Sequence, residues 1–154
     1  MNLFGSTLPL LSDSLDTRSV EVGLRFSTTV PITARGVRFF KELTNTGTHT
    51  GSIWSNNGQR LGTVTFTGES SRGWQSATFA TPLALPAGTY TVSYLAPRGH
   101  VSTTALFFSK TFTDGTVTAN TSNGRYRYGS GGVMPASTTT MRNNYFVDLI
   151  YSRP

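Results

Sequence analysis

Residues 20–26 read VEVGLRF, and this stretch decides the fold class of the chain. Apolar side chains occupy every second position from Val20 to Phe26, and the positions between them hold Glu21, Gly23 and Arg25. A period of two places alternate side chains on opposite faces of a β-strand. The stretch therefore predicts a strand with one face buried in a core.

The same alternation recurs in residues 32–40, 61–67, 89–95 and 145–151, with turn-forming residues between these segments. No segment shows a capped 3.6-residue helical period. About eight or nine short strands predict an all-β chain folded as a jelly-roll-like antiparallel β-sandwich. The predicted core residues are Val22, Leu24, Val37, Phe39, Val64, Phe66, Phe79, Val92, Val147 and Leu149.

Length and composition favour one domain without cysteine chemistry. The chain has 154 residues and no cysteine, which excludes disulfides, thiolate metal sites and a cysteine nucleophile. Its formal net charge is +6, but the basic residues are scattered, whereas a nucleic-acid binder clusters them. No stretch approaches the roughly 20 apolar residues of a membrane span. The sequence therefore predicts neither nucleic-acid binding nor membrane insertion.

Residues 1–18 are predicted to form an N-terminal arm, followed by the β-sandwich domain at 19–154. The arm is rich in apolar side chains but lacks the period of a strand. Burial against a partner would stabilise such a segment, so the arm is predicted to serve assembly, including self-association. The predicted assembly residues are Leu3, Phe4, Leu8, Leu10 and Leu11.

The titratable residues give no catalytic signature. His49 and His100 both lie in turn-rich segments, without the three or four ligands of a zinc site or a nucleophile motif beside them. The chain is therefore predicted not to be an enzyme.

Two acidic residues, Glu21 and Asp148, lie on the first and last predicted strands. Those strands are often adjacent in a sandwich, so the two carboxylates are candidates for binding Ca²⁺ together with loop carbonyls. The alternative is that they form ion pairs with an arginine such as Arg25 or Arg38. We favour no metal and no other cofactor.

The segment Arg125-Tyr126-Arg127-Tyr128 lies among asparagine and glycine residues. This setting predicts an exposed loop at 123–131 that presents rings and guanidinium groups. Such side chains are favoured at recognition surfaces, and the loop is predicted to contact a partner protein or a glycan together with His49 and His100. The alternative is a strand with one tyrosine ring in the core and the other on the surface.

Seven segments in order resemble one domain family. They are VEVGLRF (20–26), GVRFFK (36–41), NTGTHTGSIW (45–54), GWQSATF (73–79), AGTYTVSY (87–94), GRYRYG (124–129) and YFVDLI (145–150). The chain resembles an uncharacterised bacterial family of β-sandwich modules, found in large secreted proteins and in actinobacteriophage virion proteins. The resemblance implies the fold and no catalytic residue.

The N-terminal segment helps to distinguish between the secreted and the virion members of this family. It begins at Met1 and shows no basic region followed by an apolar run, so we expect either a chain that is used without Sec export or one in which Met1 replaces a removed signal. The first alternative favours the virion version. The resemblance then implies a virion structural protein, a capsid decoration or tail-associated module that binds a capsid or tail protein and touches host glycans. It would be assembled in the host cytoplasm and displayed on the virion surface. The alternative is a carbohydrate-binding module of a secreted, extracellular bacterial protein.

Overall fold

The computed structural model describes all residues from 1 to 154 and contains ten strands and one 3-10 turn. The elements are β1 (Val20–Thr28), β2 (Ile32–Lys41), β3 (Thr50–Ser55), β4 (Arg60–Thr65), β5 (Gly73–Leu85), β6 (Gly88–Ala96), the 3-10 turn (Phe107–Ser109), β7 (Phe112–Thr113), β8 (Val117–Ala119), β9 (Gly124–Tyr128) and β10 (Val147–Ser152). The all-β prediction is confirmed. The structure contains no helix with the length and apolar character that a membrane span requires.

Two antiparallel sheets of unequal width form the sandwich. The larger sheet has the order β4-β3-β6-β1-β8-β7, and β9 pairs with the first half of β1. The smaller sheet has the order β10-β2-β5. The stretch that decides the fold class, β1, lies inside the larger sheet, paired with β6 from Val20 opposite Ala96 to Thr28 opposite Gly88. The predicted antiparallel sandwich is therefore confirmed.

The core between the sheets contains nearly all of the predicted residues. Nine of the ten are buried, and Phe39 stacks on Tyr94 with ring centroids 4.1 Å apart. Val64 is only half-buried because β4 is the edge strand of the larger sheet.

Residues 124–128 form strand β9, so the predicted exposed loop is wrong over these five residues. Gly124 lets β9 pass close to Asn143, because the Cβ atom of any other residue at this position would lie 1.8 Å from the carbonyl oxygen of Asn143. Tyr126 and Tyr128 are two positions apart and therefore share one face of the strand. The predicted alternative is correct in that these residues form a strand, with Tyr126 packed against the core and Tyr128 exposed, but the two rings do not lie on opposite sides of it.

The beginning of the arm is part of the domain. The backbone N–H groups of Leu3 and Phe4 donate to the two carboxylate oxygens of Asp148 at 3.0 and 2.9 Å. Both side chains are buried, and the Phe4 ring packs against the rings of four other phenylalanines. Leu3 and Phe4 therefore cannot serve assembly, which corrects that part of the prediction. The remaining predicted assembly residues, Leu8, Leu10 and Leu11, are exposed.

Candidate functional site

A groove of about 520 Å³ opens beside β9. Its floor is the inward face of the larger sheet, where Val20 and Val22 of β1 pair in register with Tyr128 and Tyr126 of β9. Tyr145 adds a third tyrosine ring to the lining. The volume lies within the roughly 300–1,000 Å³ typical of small-ligand sites. We call this cleft the tyrosine groove.

The roof of the tyrosine groove comes from the arm and from loops rather than from the smaller sheet. Leu11 and Thr103 exchange backbone hydrogen bonds of 2.9 and 2.8 Å, and Ser14 donates to the carbonyl of Val101 at 3.0 Å. These four residues all line the groove. The rim is polar and includes Asp16, Arg18, Thr139 and Asn143.

A charged cluster fixes one tyrosine at the rim of the groove. Arg18 donates to both carboxylate oxygens of Asp16 at 3.0 and 2.8 Å, and its guanidinium lies 3.8 Å from the centre of the Tyr128 ring. The Tyr128 hydroxyl donates to Asp16 at 2.5 Å. The bonds from Arg18 and Tyr128 hold the pKa of Asp16 well below its usual range, while burial and the bond to Asp16 raise the pKa of Tyr128 to about 12. The cluster therefore orients the Tyr128 side chain before any ligand arrives.

The arginines of the predicted contact motif lie on the other face of β9. Arg125 donates from Nη1 to the carbonyl of Ala136 at 3.2 Å, and Arg127 lines a separate cavity. The motif therefore does not form one recognition surface, because neighbouring residues in a strand point in opposite directions. Only its two tyrosines line the tyrosine groove.

Neither histidine belongs to the groove, which corrects the predicted grouping. His49 is fully buried beside Phe39, with its ring nitrogens bonded to Glu69 at 3.0 Å and Asn45 at 2.8 Å. Burial lowers its pKa, so the ring is held neutral. His100 pairs with Asp13 at 2.9 Å and does not line the groove.

Glu21 and Asp148 point away from each other. Val22 and Leu149 face the core from β1 and β10, so the residues beside them, Glu21 and Asp148, lie on the outer faces of different sheets. The predicted shared Ca²⁺ site is therefore wrong. Asp148 instead forms an ion pair with Arg38 at 2.8 Å, as the alternative predicts, and Glu21 takes part in no ion pair.

Sequence reasoning missed most of the groove residues, among them Asp16, Arg18, Asn143 and Tyr145. They lie far from β9 in the chain, and no local pattern connects them with it. The spacing of Tyr126 and Tyr128 was the one available signal, since a separation of two places both rings on one face of a strand.

Three comparisons with known proteins bear on the chain. The family model described as "Domain of unknown function (DUF4082)" matches residues 6–147. A solved structure described as that of a family 35 carbohydrate binding module from an environmental isolate is similar, with 15% identity and a TM-score of 0.39, over 90% of this chain and 99% of that one. A search of proteins with curated functions found no significant match.

Proposed function

The chain belongs to the DUF4082 family, whose function is unknown, and from that premise we propose that it binds a carbohydrate in the tyrosine groove without chemical conversion. The observation that carries the proposal is the groove itself, in which Tyr126, Tyr128 and Tyr145 line one cleft with a polar rim. Family membership also confirms, in its coarser part, the predicted resemblance to an uncharacterised module family.

The groove combines the two kinds of contact that sugars need. Apolar ring surfaces accept the C–H faces of a pyranose, and a few fixed polar groups orient its hydroxyls. Arg18 and Asp16 already hold the Tyr128 side chain, so little ordering is needed when a ligand binds. This preorganisation favours a binding site over a chance gap between loops.

The residues that line the tyrosine groove do not suit glycoside hydrolysis. That reaction needs two carboxyl groups, one of which stays protonated near neutral pH as the general acid. Asp16 is the only acidic residue of the lining, and its pKa is shifted downward by the hydrogen bonds from Arg18 and Tyr128. A carboxylate held in its ionised form cannot donate the proton.

The test is binding of Tyr126→Ala to immobilised glycans and, by calorimetry, to cellobiose, xylobiose, lactose and maltose. We expect the wild type to bind at least one of these sugars. Tyr126→Ala should weaken that binding about tenfold or more, equivalent to about 1.4 kcal/mol. Tyr90→Ala is the matched control, because Tyr90 is also half-buried but packs against Phe26 outside the groove. Absence of any wild-type binding, or equal binding by both variants, would reject the proposal.

A second candidate function is docking on a partner, and the exposed arm favours it. Leu10 is 87% exposed and Leu15 78%, with Leu8 and Leu11 beside them. The partner that we propose is a second copy of the chain, in line with the predicted homo-oligomer. Leu10→Ser should then shift the mass measured by light scattering toward the monomer, whereas Leu106→Ser, an exposed leucine outside the arm, should not. A monomeric wild type would reject this candidate.

The location of the protein depends on which of the two proposed functions is correct. Glycan binding would place the domain outside the cell, as the predicted secreted alternative has it. Display on a virion, with a capsid or tail protein as partner, stays a prediction from the resemblance, since neither the groove nor the family match bears on it.

A further inference from the structure

Residues 130–135 follow β9 and cross the outer face of the larger sheet. None of their backbone groups forms a hydrogen bond with another backbone group of the protein. The first part of the segment is rich in glycine, and Gly129, Gly131 and Gly132 have positive φ. Sparse hydrogen bonding is typical of segments that open locally while the rest of the domain stays folded. We call residues 130–135 the strap.

The strap is attached to the sheet at both ends. The backbone N–H of Gly129 donates to the carbonyl of Ser19 at 3.1 Å, and the Ser19 hydroxyl donates to the carbonyl of Gly129 at 2.7 Å. At the other end, Ser137 and Tyr126 exchange two backbone hydrogen bonds of 3.0 and 3.2 Å. The middle of the strap is therefore free to lift while its ends remain bonded.

Two positions of the strap lie close against the sheet. A Cβ atom on Gly131 would lie 3.2 Å from Glu21 Oε1. A Cβ atom on Gly23 would lie 2.9 Å from Pro135 Cγ and 3.2 Å from Thr91 Cγ2. The closed strap therefore lies over Glu21 and Gly23, and Thr91 beside them is only 4% exposed.

The closed strap opposes the ionisation of Glu21. This residue is only 2% exposed, and its Oε2 atom has no hydrogen-bond partner in the protein. Burial raises the pKa of Glu21 to about 7, and the hydrogen bond to Ser93 and the charge of Arg60 oppose this only in part. A buried carboxylate without a partner is strongly destabilised. Lifting the strap removes that penalty because it lets water reach the carboxylate.

The charges around Glu21 favour the lifted state once the carboxyl group is ionised. The charged and titratable groups nearby are Arg25 of β1, Arg60 of β4, Tyr94 of β6 on the inner side, and Arg125, Arg127 and Tyr128 of β9, whereas the strap has none. Arg127 lies directly opposite Glu21 in the strand register, yet the two form no ion pair. A cavity of about 240 Å³ beside both residues leaves room for the carboxylate to turn toward Arg127.

We propose that the strap is a pH-sensitive cover, which is closed over Glu21 while the carboxyl group is neutral and lifts when that group is ionised. In the lifted state the carboxylate contacts water and pairs with Arg127. The strap leaves β9 at Gly129 and returns to it at Ser137, so it moves beside the strand that lines the tyrosine groove. The inference is independent of whether the groove binds a sugar.

The pH dependence of lifting has a defined sign. The Glu21 carboxyl has its raised pKa in the closed state and its ordinary value of 4.5 in the lifted state. Lifting is therefore favoured as pH rises between these two values and reaches a plateau above pH 7. A tenfold change for each pH unit across this window gives an increase of about 300-fold at most.

The experiment measures how fast a cysteine under the strap reacts with dithiodipyridine between about pH 4 and pH 8. The chain has no cysteine of its own, so Thr91→Cys supplies a single thiol. Each rate is divided by that of Thr91→Cys combined with Glu21→Gln at the same pH, which cancels the titration of the thiol and of His49. We expect the ratio to rise more than about tenfold across this range, and less when Arg127→Gln is added to both proteins. A ratio that stays constant with pH would overturn the proposal.

A control cysteine separates lifting of the strap from unfolding of the domain. Val92 follows Thr91 in β6, is fully buried and points to the core, so Val92→Cys should react only when the whole domain unfolds. At neutral pH it should react more slowly than Thr91→Cys. Equal rates for the two thiols would mean that the domain opens as a whole, and the strap would not be a separate cover.

A pair of glycines tests whether Gly131 holds the closed state. Gly131 and Gly132 have nearly the same φ, +86° and +83°, but a Cβ atom on Gly132 would meet nothing within 4 Å. At acidic pH, Gly131→Ala should therefore raise the reaction rate of Thr91→Cys about fivefold or more above that of Gly132→Ala, because only the first crowds Glu21. Equal rates in the two backgrounds would contradict the closed position of the strap over Glu21.

Discussion

Replacing Glu21 by glutamine should stabilise the protein at neutral and alkaline pH. Burial raises the pKa of the folded-state carboxyl from its ordinary value of 4.5 to about 7. The unfolded chain therefore binds fewer protons than the folded chain between these two pH values, and stability falls as pH rises through this window. At about 1.4 kcal/mol for each unit of pKa shift, the wild type loses about 3 kcal/mol of unfolding free energy in total above pH 7.

The assay is urea unfolding of wild type and Glu21→Gln at several values between about pH 4 and pH 8. His49 titrates in the same range with the opposite sign, because its lowered pKa makes stability rise with pH. The difference between the two proteins cancels this contribution, since His49 is present in both. We expect the difference to be near zero at the acidic end and to reach about 3 kcal/mol in favour of Glu21→Gln at the alkaline end. A difference that stays constant with pH would refute the argument that Glu21 is desolvated.

Three further predictions concern the domain as a whole. Phe4→Ala should lower the free energy of unfolding, measured with urea, by about 3–5 kcal/mol. Leu10→Ala should change it by less than about 0.5 kcal/mol, because the Leu10 side chain is exposed. Asp148→Ala should lower the free energy of unfolding by about 3–5 kcal/mol, because it leaves the Arg38 charge buried and unpaired. A decrease of less than about 1 kcal/mol would mean that the ion pair is solvated. Phe39→Ala should lower the free energy of unfolding by about 3–5 kcal/mol. A variant with near-native stability would contradict the stacking of the Phe39 ring on Tyr94 in the core.

The fold was predictable because its signal is local. Val22 and Leu24 lie two residues apart, as do Val147 and Leu149, and such spacing buries one face of a strand whichever strand lies beside it. The sequence could not reveal that β4 is an edge strand, since an edge is a property of the sheet and not of the residues. Val64 is half-buried for that reason.

The candidate site was less predictable because long-range contacts create it. The glycines around Tyr126 and Tyr128 are typical of a loop, yet one of them, Gly124, permits the backbone of β9 to pass close to Asn143. His49 also looked exposed among turn formers, whereas its ring is buried by partners that include Glu69, twenty residues away. In both cases the local composition indicated a turn, and a distant partner determined the outcome.

The unequal width of the two sheets explains why the groove lies where it does. The smaller sheet has three strands, so the arm and loops, not a facing strand, cover the inner face of β9. The same arm is bonded at Leu3 and Phe4 to Asp148 on the outer face of the smaller sheet, and at Leu11 it forms the roof of the groove. The anchor and the roof thus belong to one continuous segment. The segment predicted to serve assembly therefore forms part of the proposed binding site, and its stability and the shape of the groove are linked.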